Sequence, residues 1–205
     1  MTITSYSTLQ STIGDFLNRS DLTSQIPVFI QLAEARFNRE IRHWRMETNT
    51  TLTADAQYED LPTDWLQTIK LTINGEANLV LRTRDYIAEQ RALYEDATGE
   101  PHSYTFTAGQ IEFYPTPNGS QTVNHVYFGK ISALSDSNTT NWLLDNAPDA
   151  YLYGALLHSA PYLVEDQRLA VWEALHGAAI TSLNVESDKA RNGSSGLRIS
   201  RRNVR

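Results

Sequence analysis

The five histidines are the residues of this sequence with the most versatile chemistry, because an imidazole binds metals and exchanges protons near neutral pH. They are His43, His102, His125, His158 and His176. No two of them have the H-x-x-x-H or HExxH spacing that brings two imidazoles to one face of a helix. His176 falls on the apolar face of a predicted helix, where a core or interface histidine is the more common finding. We therefore predict no metal site, and a site assembled from distant histidines is the less favoured alternative.

Other catalytic patterns are absent from the sequence. There is no cysteine, which excludes disulfides, thiolate metal sites and a cysteine nucleophile. There is no phosphate-binding GxxxxGK[ST] or GxGxxG loop and no GxSxG nucleophile turn. The acidic pairs Glu59-Asp60, Glu95-Asp96 and Glu165-Asp166 lie in predicted loops or helix starts, where solvation or the helix dipole explains them. We predict that the protein is not an enzyme and needs no cofactor.

The C-terminal segment has the most uneven charge. Residues 189–205 hold six of the seventeen Lys and Arg residues and no acidic residue. Residues 1–188 hold eleven basic and twenty-four acidic side chains, a net charge of −13. Three interpretations are open: a loose terminus, a tether for nucleic acid or an anionic membrane, and a segment that docks on another protein. The negative remainder of the chain would repel a polyanion, and apolar residues alternate with the arginines, which favours docking. The expected docking residues are Leu197, Arg198, Ile199, Arg201, Arg202, Val204 and Arg205.

The composition is that of a folded protein, with 205 residues of which 40% are hydrophobic and 20% are charged. No apolar run reaches the roughly eighteen residues that a membrane span needs, and residues 1–10 lack the pattern of a secretory signal. We therefore expect no membrane partner, and a setting in the reducing cytoplasm or in a particle assembled there.

The periodicity of apolar residues predicts helices at both ends and strands between them. Helical spacing covers two segments within the first ~45 residues and returns at Asn141, with Asn146 as a possible cap for the next helix. The intervening part contains five or six short strands, with turns at Asn74-Gly75 and Ala108-Gly109. The predicted class is α+β: a mainly α-helical bundle with a small inserted antiparallel β lobe and an extended C-terminal tail. The predicted domains are residues 1–43 with 140–188 for the bundle, 44–139 for the β-rich lobe and 189–205 for the tail.

Aromatic residues are frequent in the predicted strands. They are Tyr104, Phe106, Phe113, Tyr114, Tyr127 and Phe128. Stacking of single-stranded nucleic acid needs basic residues among such aromatics. Lys130 is the only basic residue between Gly99 and Gln167. Packing in the core is therefore the favoured role, followed by a protein interface.

Three stretches resemble a known family. They are SYSTLQSTIGDFLNRSDLTSQIPVFIQLAEARFNREIR, YEDLPTDWLQTIKLTING and ALSDSNTTNWLLDNAPDAYLYGALLHSAPYLVEDQRLAVWEALHGAAI. Together they resemble the head-to-tail adaptor proteins of tailed phages, also called connector, head-completion or gatekeeper proteins. The resemblance covers nearly the whole chain. It implies a non-enzymatic protein, typically twelve copies in a ring beneath the portal protein, around a channel through which the genome passes.

The resemblance also implies the partners. The C-terminal segment, residues 193–205, would insert into the portal, and the β lobe would face a downstream tail or nozzle protein or the neighbouring subunit. Genomic DNA would pass through the channel without specific binding, because a negative lining repels it. The expected location is the neck of the virion, after assembly in the host bacterial cytoplasm. A tail terminator or tail-tube component is one alternative, and a nucleic-acid-binding accessory protein with a basic tail is another.

A closed ring needs two different complementary faces on each subunit. One hypothesis pairs basic residues of the second predicted helix with acidic residues of a neighbour. The residues of this hypothesis are Arg36, Arg39, Arg42, Arg45, Glu165 and Asp166.

Overall fold

The protein is described by a computed structural model that covers residues 2–75, 77–95, 97–163 and 167–192. Its class is α+β, as expected, with six α-helices in the described part. The helices are α1 (Tyr6–Leu17), α2 (Ile26–Glu40), α3 (Arg84–Leu93), α4 (Trp142–Asn146), α5 (Pro148–Leu157) and α6 (Arg168–Asn192). The strands are β1 (Glu47–Ala54), β2 (Tyr58–Asp60), β3 (Trp65–Ile73), β4 (Ala77–Asn78), β5 (Val80–Leu81), β6 (Thr98–Gly99), β7 (Ser103–Thr107), β8 (Gln110–Tyr114), β9 (Thr116–Pro117) and β10 (Gln121–Gly129).

The chain divides into two compact units. The first, here called the helical unit, combines residues 1–46 with the described part of 131–205, and the second, the strand unit, comprises 47–130. Residues 44–46 form a short 3-10 helix of the helical unit, and 131–139 also belong to that unit. The domain bounds expected from the sequence had assigned both segments to the β lobe. The helix α6 also continues to Asn192, so the first four residues of the expected extended tail, 189–192, are helical.

In the helical unit, α5 contacts α1, α2 and α6. Most of its residues are buried, including Tyr151, Leu152, Ala155 and Leu156, so α5 is apolar around most of its circumference. The helix α1 begins at a capping box in which Ser5 and Thr8 exchange hydrogen bonds. The expected cap at Asn146 is wrong, because that residue ends α4 and α5 starts directly at Pro148.

The cap of this region is instead Asn141. Its side-chain oxygen accepts hydrogen bonds from the backbone N–H groups of Leu143 and Leu144, at 3.1 and 2.9 Å. Its side-chain amide donates to the Tyr151 hydroxyl at 2.6 Å and to the Ser132 carbonyl at 2.7 Å. One asparagine therefore starts α4 and ties the preceding loop to α5.

The strand unit contains two four-stranded sheets, with strand orders β1-β10-β3-β4 and β2-β8-β7-β5, and the two-stranded pair β6-β9. The first sheet is antiparallel throughout. The expectation of a purely antiparallel lobe is wrong for two short pairs, since β5 runs parallel to β7 and β6 runs parallel to β9. Both pairs have only two residues on each strand, too few for alternating hydrophobicity to reveal their direction.

The two turns expected from the sequence have left-handed backbone angles. Asn74 and Gly75 have φ of 50° and 75°, and Ala108 and Gly109 have φ of 53° and 83°. The second turn joins β7 to β8 with Thr107 opposite Gln110, which leaves a two-residue loop. Ala108 is strained there, because a Cβ disfavours positive φ.

A core of the strand unit lies among these strands. Its buried members are Ala54, Leu71, Ile73, Leu79, Tyr104, Ile111, Phe113 and Val123. The prediction that the strand aromatics pack in the core is confirmed for Tyr104, Phe113, Tyr114, Tyr127 and Phe128, and Phe106 is partly buried.

Candidate assembly surfaces

Two groups of expected site residues lie outside the described residues. They are the docking residues of the tail, between Leu197 and Arg205, and the acidic residues Glu165 and Asp166. The structure does describe the base of the tail. Lys189 and Arg191 occupy the last turn of α6, where positive charge interacts favourably with the helix dipole. The docking role of the tail stays a prediction.

The arginines of α2 have different environments. The Arg36 Nε donates to Glu40 Oε1 at 2.7 Å, one turn along the same helix. The Arg42 guanidinium donates to the carbonyl oxygens of Asn38 and Ile41 at the end of α2. Arg39 is exposed. Arg36 and Arg42 thus bond within their own subunit, and the suggested pairing with acidic residues of a neighbour stays a prediction.

Helix α6 carries an apolar stripe on its exposed side, here called the α6 stripe. It consists of the apolar residues Val171, Leu175, Ala178 and Val185 together with the small polar residue Ser182, and all five are exposed. These positions repeat every three or four residues, so they share one side of the helix. The three largest side chains are 57%, 41% and 43% exposed. The buried residues Trp172, His176, Ala179, Ile180 and Leu183 form a separate face.

Helix α2 has a second exposed stripe, the α2 stripe, formed by Val28, Leu32 and Ala35. It lies opposite the buried face that contains Phe29, Ala33 and Phe37. Scattered exposed apolar residues are ordinary, but aligned ones on two helices are typical of surfaces that another protein covers. Both stripes have helical spacing in the sequence, but the stronger periodicity of the buried face of each helix conceals them.

Trp44 is an exposed aromatic residue close to the end of α6. Its backbone N–H donates to the Ser187 hydroxyl at 3.0 Å, and the Arg45 guanidinium carbon lies 5.0 Å from its ring centroid. Beside it, His43 is buried and stacks on Trp142 with 5.1 Å between ring centroids. This corner joins the end of α2, the 3-10 helix and the last turns of α6.

The buried histidines are placed as core residues. His125 and His176 are both fully buried, and His176 stacks on Phe37 with ring centroids 5.9 Å apart. Burial lowers the pKa of His125 to about 4. Burial also lowers the pKa of His176, with a smaller effect of Arg36 in the same direction. Among the described residues there is no group of three or more His, Asp or Glu side chains that could hold a metal ion.

One buried carboxylate is part of a structural network. Glu34 Oε1 accepts from the Leu134 N–H at 2.7 Å and from the Tyr151 hydroxyl at 3.1 Å. Burial raises the pKa of Glu34, and these hydrogen bonds oppose that effect. Since the same Tyr151 hydroxyl bonds to Asn141, the network fixes the loop before α4 onto α2 and α5.

A cleft of about 670 Å³ lies between α1 and the start of α2. Its lining is mostly small and polar, with Ser7, Ser11, Ser20 and Thr23 among its residues. Asp15 and Arg19 are the ionisable side chains among its described lining residues, and both are exposed. The described lining residues of this cleft do not form a cluster suited to acid–base or nucleophilic chemistry.

The negative charge is concentrated in the strand unit. Residues 47–130 contain five Lys and Arg residues and twelve Asp and Glu residues, a net charge of −7, whereas the rest of the chain contains twelve of each. In the described residues no helix is both long enough and apolar enough to cross a membrane.

The architecture is therefore that of an α+β protein whose distinctive surface features are two apolar stripes and an exposed tryptophan. The chain belongs to a phage head-to-tail adaptor family, since the family model for the SU10 adaptor protein matches residues 4–200. Membership confirms the resemblance noted in the sequence and supports a structural role in the virion. This is not a known enzyme family. No curated protein matches the chain significantly.

Proposed function

We propose that copies of this protein form the adaptor ring between the portal and the tail of a phage. Several copies, twelve by the family resemblance, would extend the DNA channel in the virion neck, with the helices of the helical unit forming a bundle. The observation that carries the proposal, beyond family membership, is the presence of two apolar stripes on two helices of each subunit. A heterologous ring requires two different faces, and the α2 stripe of one copy fits the role of partner for the α6 stripe of the next.

The portal would bind the basic tail, residues 193–205, and a downstream tail protein would bind elsewhere on the ring. Arginine pairs with carboxylates through two parallel hydrogen bonds, so a tail of this composition suits an acidic groove. The acidic excess of residues 47–130 disfavours adhesion of the passing genome, because like charges repel.

Portal binding is tested with the portal protein encoded by the same phage. The full chain should co-purify with it, and a variant that lacks residues 193–205 should not. The full chain and the truncated variant are each also incubated with duplex DNA at physiological salt. If the full chain retards DNA, ignores the portal and loses DNA binding on truncation, the protein is a nucleic-acid-binding accessory protein instead.

The ring is tested on the portal–adaptor complex by mass photometry. Val171→Asp combined with Leu175→Asp places two charges on the α6 stripe and should reduce the number of adaptor copies per portal. Gly177→Asp is the control, because Gly177 is exposed on α6, has open space around its position and is not three or four residues from any member of the stripe. An unchanged copy number in the double variant would contradict the assigned interface.

A further inference from the structure

Trp44 and Arg45 form a rigid surface feature that the family role leaves unexplained. Trp44 is 41% exposed, although a tryptophan ring is usually well covered. The Arg45 guanidinium lies over one face of the ring, 5.0 Å from its centroid, and His43 lies beside it with ring centroids 5.7 Å apart. The ring is therefore held in one orientation with part of its surface open to solvent.

The segment that carries this pair is fixed along α6. Asn184 accepts from the Arg42 N–H and donates to the Glu40 carbonyl, both at 3.3 Å. One turn further, the Ser187 hydroxyl accepts from the Trp44 N–H. A contact surface held in place before binding loses little conformational entropy when a partner arrives.

We propose that Trp44 and Arg45 are a second, preformed contact for the same portal protein that the tail is proposed to bind, so this inference rests on the proposed function. The pair lies beside Ser187, and Arg191 is one turn further along the same side of α6. The basic tail starts immediately after this turn. Asn192, where α6 ends, is five residues from Ser187, a rise of about 8 Å along the helix, so a partner that binds at the start of the tail has Trp44 within reach. The chemistry required of the partner is an apolar pocket for the indole with a carboxylate beside it for Arg45.

The pair fits a protein partner better than a nucleic acid. Base stacking needs an open aromatic face, and Arg45 already covers one face of Trp44 while His43 lies against the ring. Glu186 is exposed near the same corner, 3.9 Å from His43 Nε2, and its carboxylate would repel a phosphate. Trp and Arg are also the residues most enriched among the energetic centres of protein interfaces.

Two contacts on one subunit reinforce each other, because binding of the tail makes binding at Trp44 intramolecular. The affinity of the full chain for the portal should then depend on both contacts. Truncating a central interface tryptophan weakens binding about 30-fold or more. Reversing the charge of Arg45 should weaken binding about tenfold or more, with a reduced dependence on salt.

The test measures affinity for the purified portal protein by biolayer interferometry, with the full chain, Trp44→Ala and Arg45→Glu. The matched control is the double variant Arg82→Ala, Tyr86→Ala, which removes a similar arginine–aromatic pair (5.1 Å) from the strand unit. We expect the control to bind like the full chain and both corner variants to bind more weakly. Arg45→Glu changes an exposed side chain, so its result stands even if Trp44→Ala fails to fold.

The outcomes separate the two proposals. Failure of the full chain to bind the portal would refute the proposed function. This inference alone would be overturned if the full chain binds the portal normally and both variants keep nearly the same affinity. Nearly the same means a loss of portal affinity under threefold in Arg45→Glu and in a folded Trp44→Ala. Quenching of tryptophan fluorescence by single-stranded DNA, lost in Trp44→Phe, would assign the corner to nucleic acid and would also overturn it.

Discussion

Lowering the pH from 7.5 to 4 should destabilise the strand unit through His125, which lies on β10 between β1 and β3. The ring is fully buried, Nε2 lies 2.8 Å from the Thr68 hydroxyl, and Nδ1 has no hydrogen-bond partner among the residues that the structure describes. Burial holds the pKa of His125 at about 4, whereas an unfolded histidine titrates near 6.5.

Between these two values the unfolded chain binds a proton that the folded chain does not. The stability that His125 contributes is therefore complete above about pH 6.5 and is lost as the pH falls towards 4. A difference of about 2.5 pKa units at 1.36 kcal/mol per unit corresponds to about 3 kcal/mol of unfolding free energy. That is a large part of the stability of a small domain.

The assay compares urea denaturation of the wild type and His125→Gln at several pH values between 7.5 and 4. Burial also lowers the pKa of His43, His158 and His176, so both proteins lose stability in acid. The difference between them isolates His125, because distant sites act nearly additively. The wild type should lose about 3 kcal/mol more than the variant. Equal losses, or a His125 pKa above 6 in an NMR titration, would refute the reasoning.

Three further substitutions test local features by their effect on the free energy of unfolding. Ala108→Asn should stabilise the protein by about 1 kcal/mol because asparagine tolerates the positive φ at this turn, and calorimetry would detect the shift in Tm. Asn141→Ala should cost about 1–3 kcal/mol because it removes the cap of α4 and leaves the Tyr151 hydroxyl without its amide donor, as urea denaturation would show. Arg91→Ala should cost about 3–5 kcal/mol, because it removes the ion pair at 3.2 Å and leaves the Glu112 carboxylate buried. The strand signal in circular dichroism should then be lost at a lower urea concentration than in the wild type. If the free energy of unfolding of one of these variants equals that of the wild type, the reasoning for that position is contradicted.

The elements with strong periodicity could be predicted from the sequence. The buried stripe of α2 and the Asn74-Gly75 turn are readable because each follows from local backbone and side-chain preferences. The two-residue parallel pairs β5-β7 and β6-β9 could not be predicted, since their partners are set by the tertiary fold. Asn146 lies two residues before Pro148 and satisfies the rule for a cap of α5, but α4 extends to Asn146 and Ala147 precedes α5 directly. The asparagine that caps a helix in this region is Asn141, at the start of α4.

The candidate site was less predictable than the fold. Charge patterns directed attention to Arg36 and Arg42, whereas the structure gives both of them contacts in their own subunit. Trp44 carries no sequence pattern that distinguishes it from the chain's other tryptophans. Its exposure depends on the packing of the 3-10 helix against α6, a contact between residues more than 140 positions apart.

The discontinuous composition of the helical unit has a consequence for biosynthesis. Helices α1 and α2 leave the ribosome early, but α5, which covers their apolar faces, follows only after residues 47–130 have been translated. At about 5–20 residues per second, that delay lasts roughly 5–20 seconds. During this interval the nascent chain exposes the inner faces of α1 and α2 and is open to chaperones. The strand unit, encoded in one continuous stretch, is free to fold first, so a subunit competent for assembly arises only late in translation.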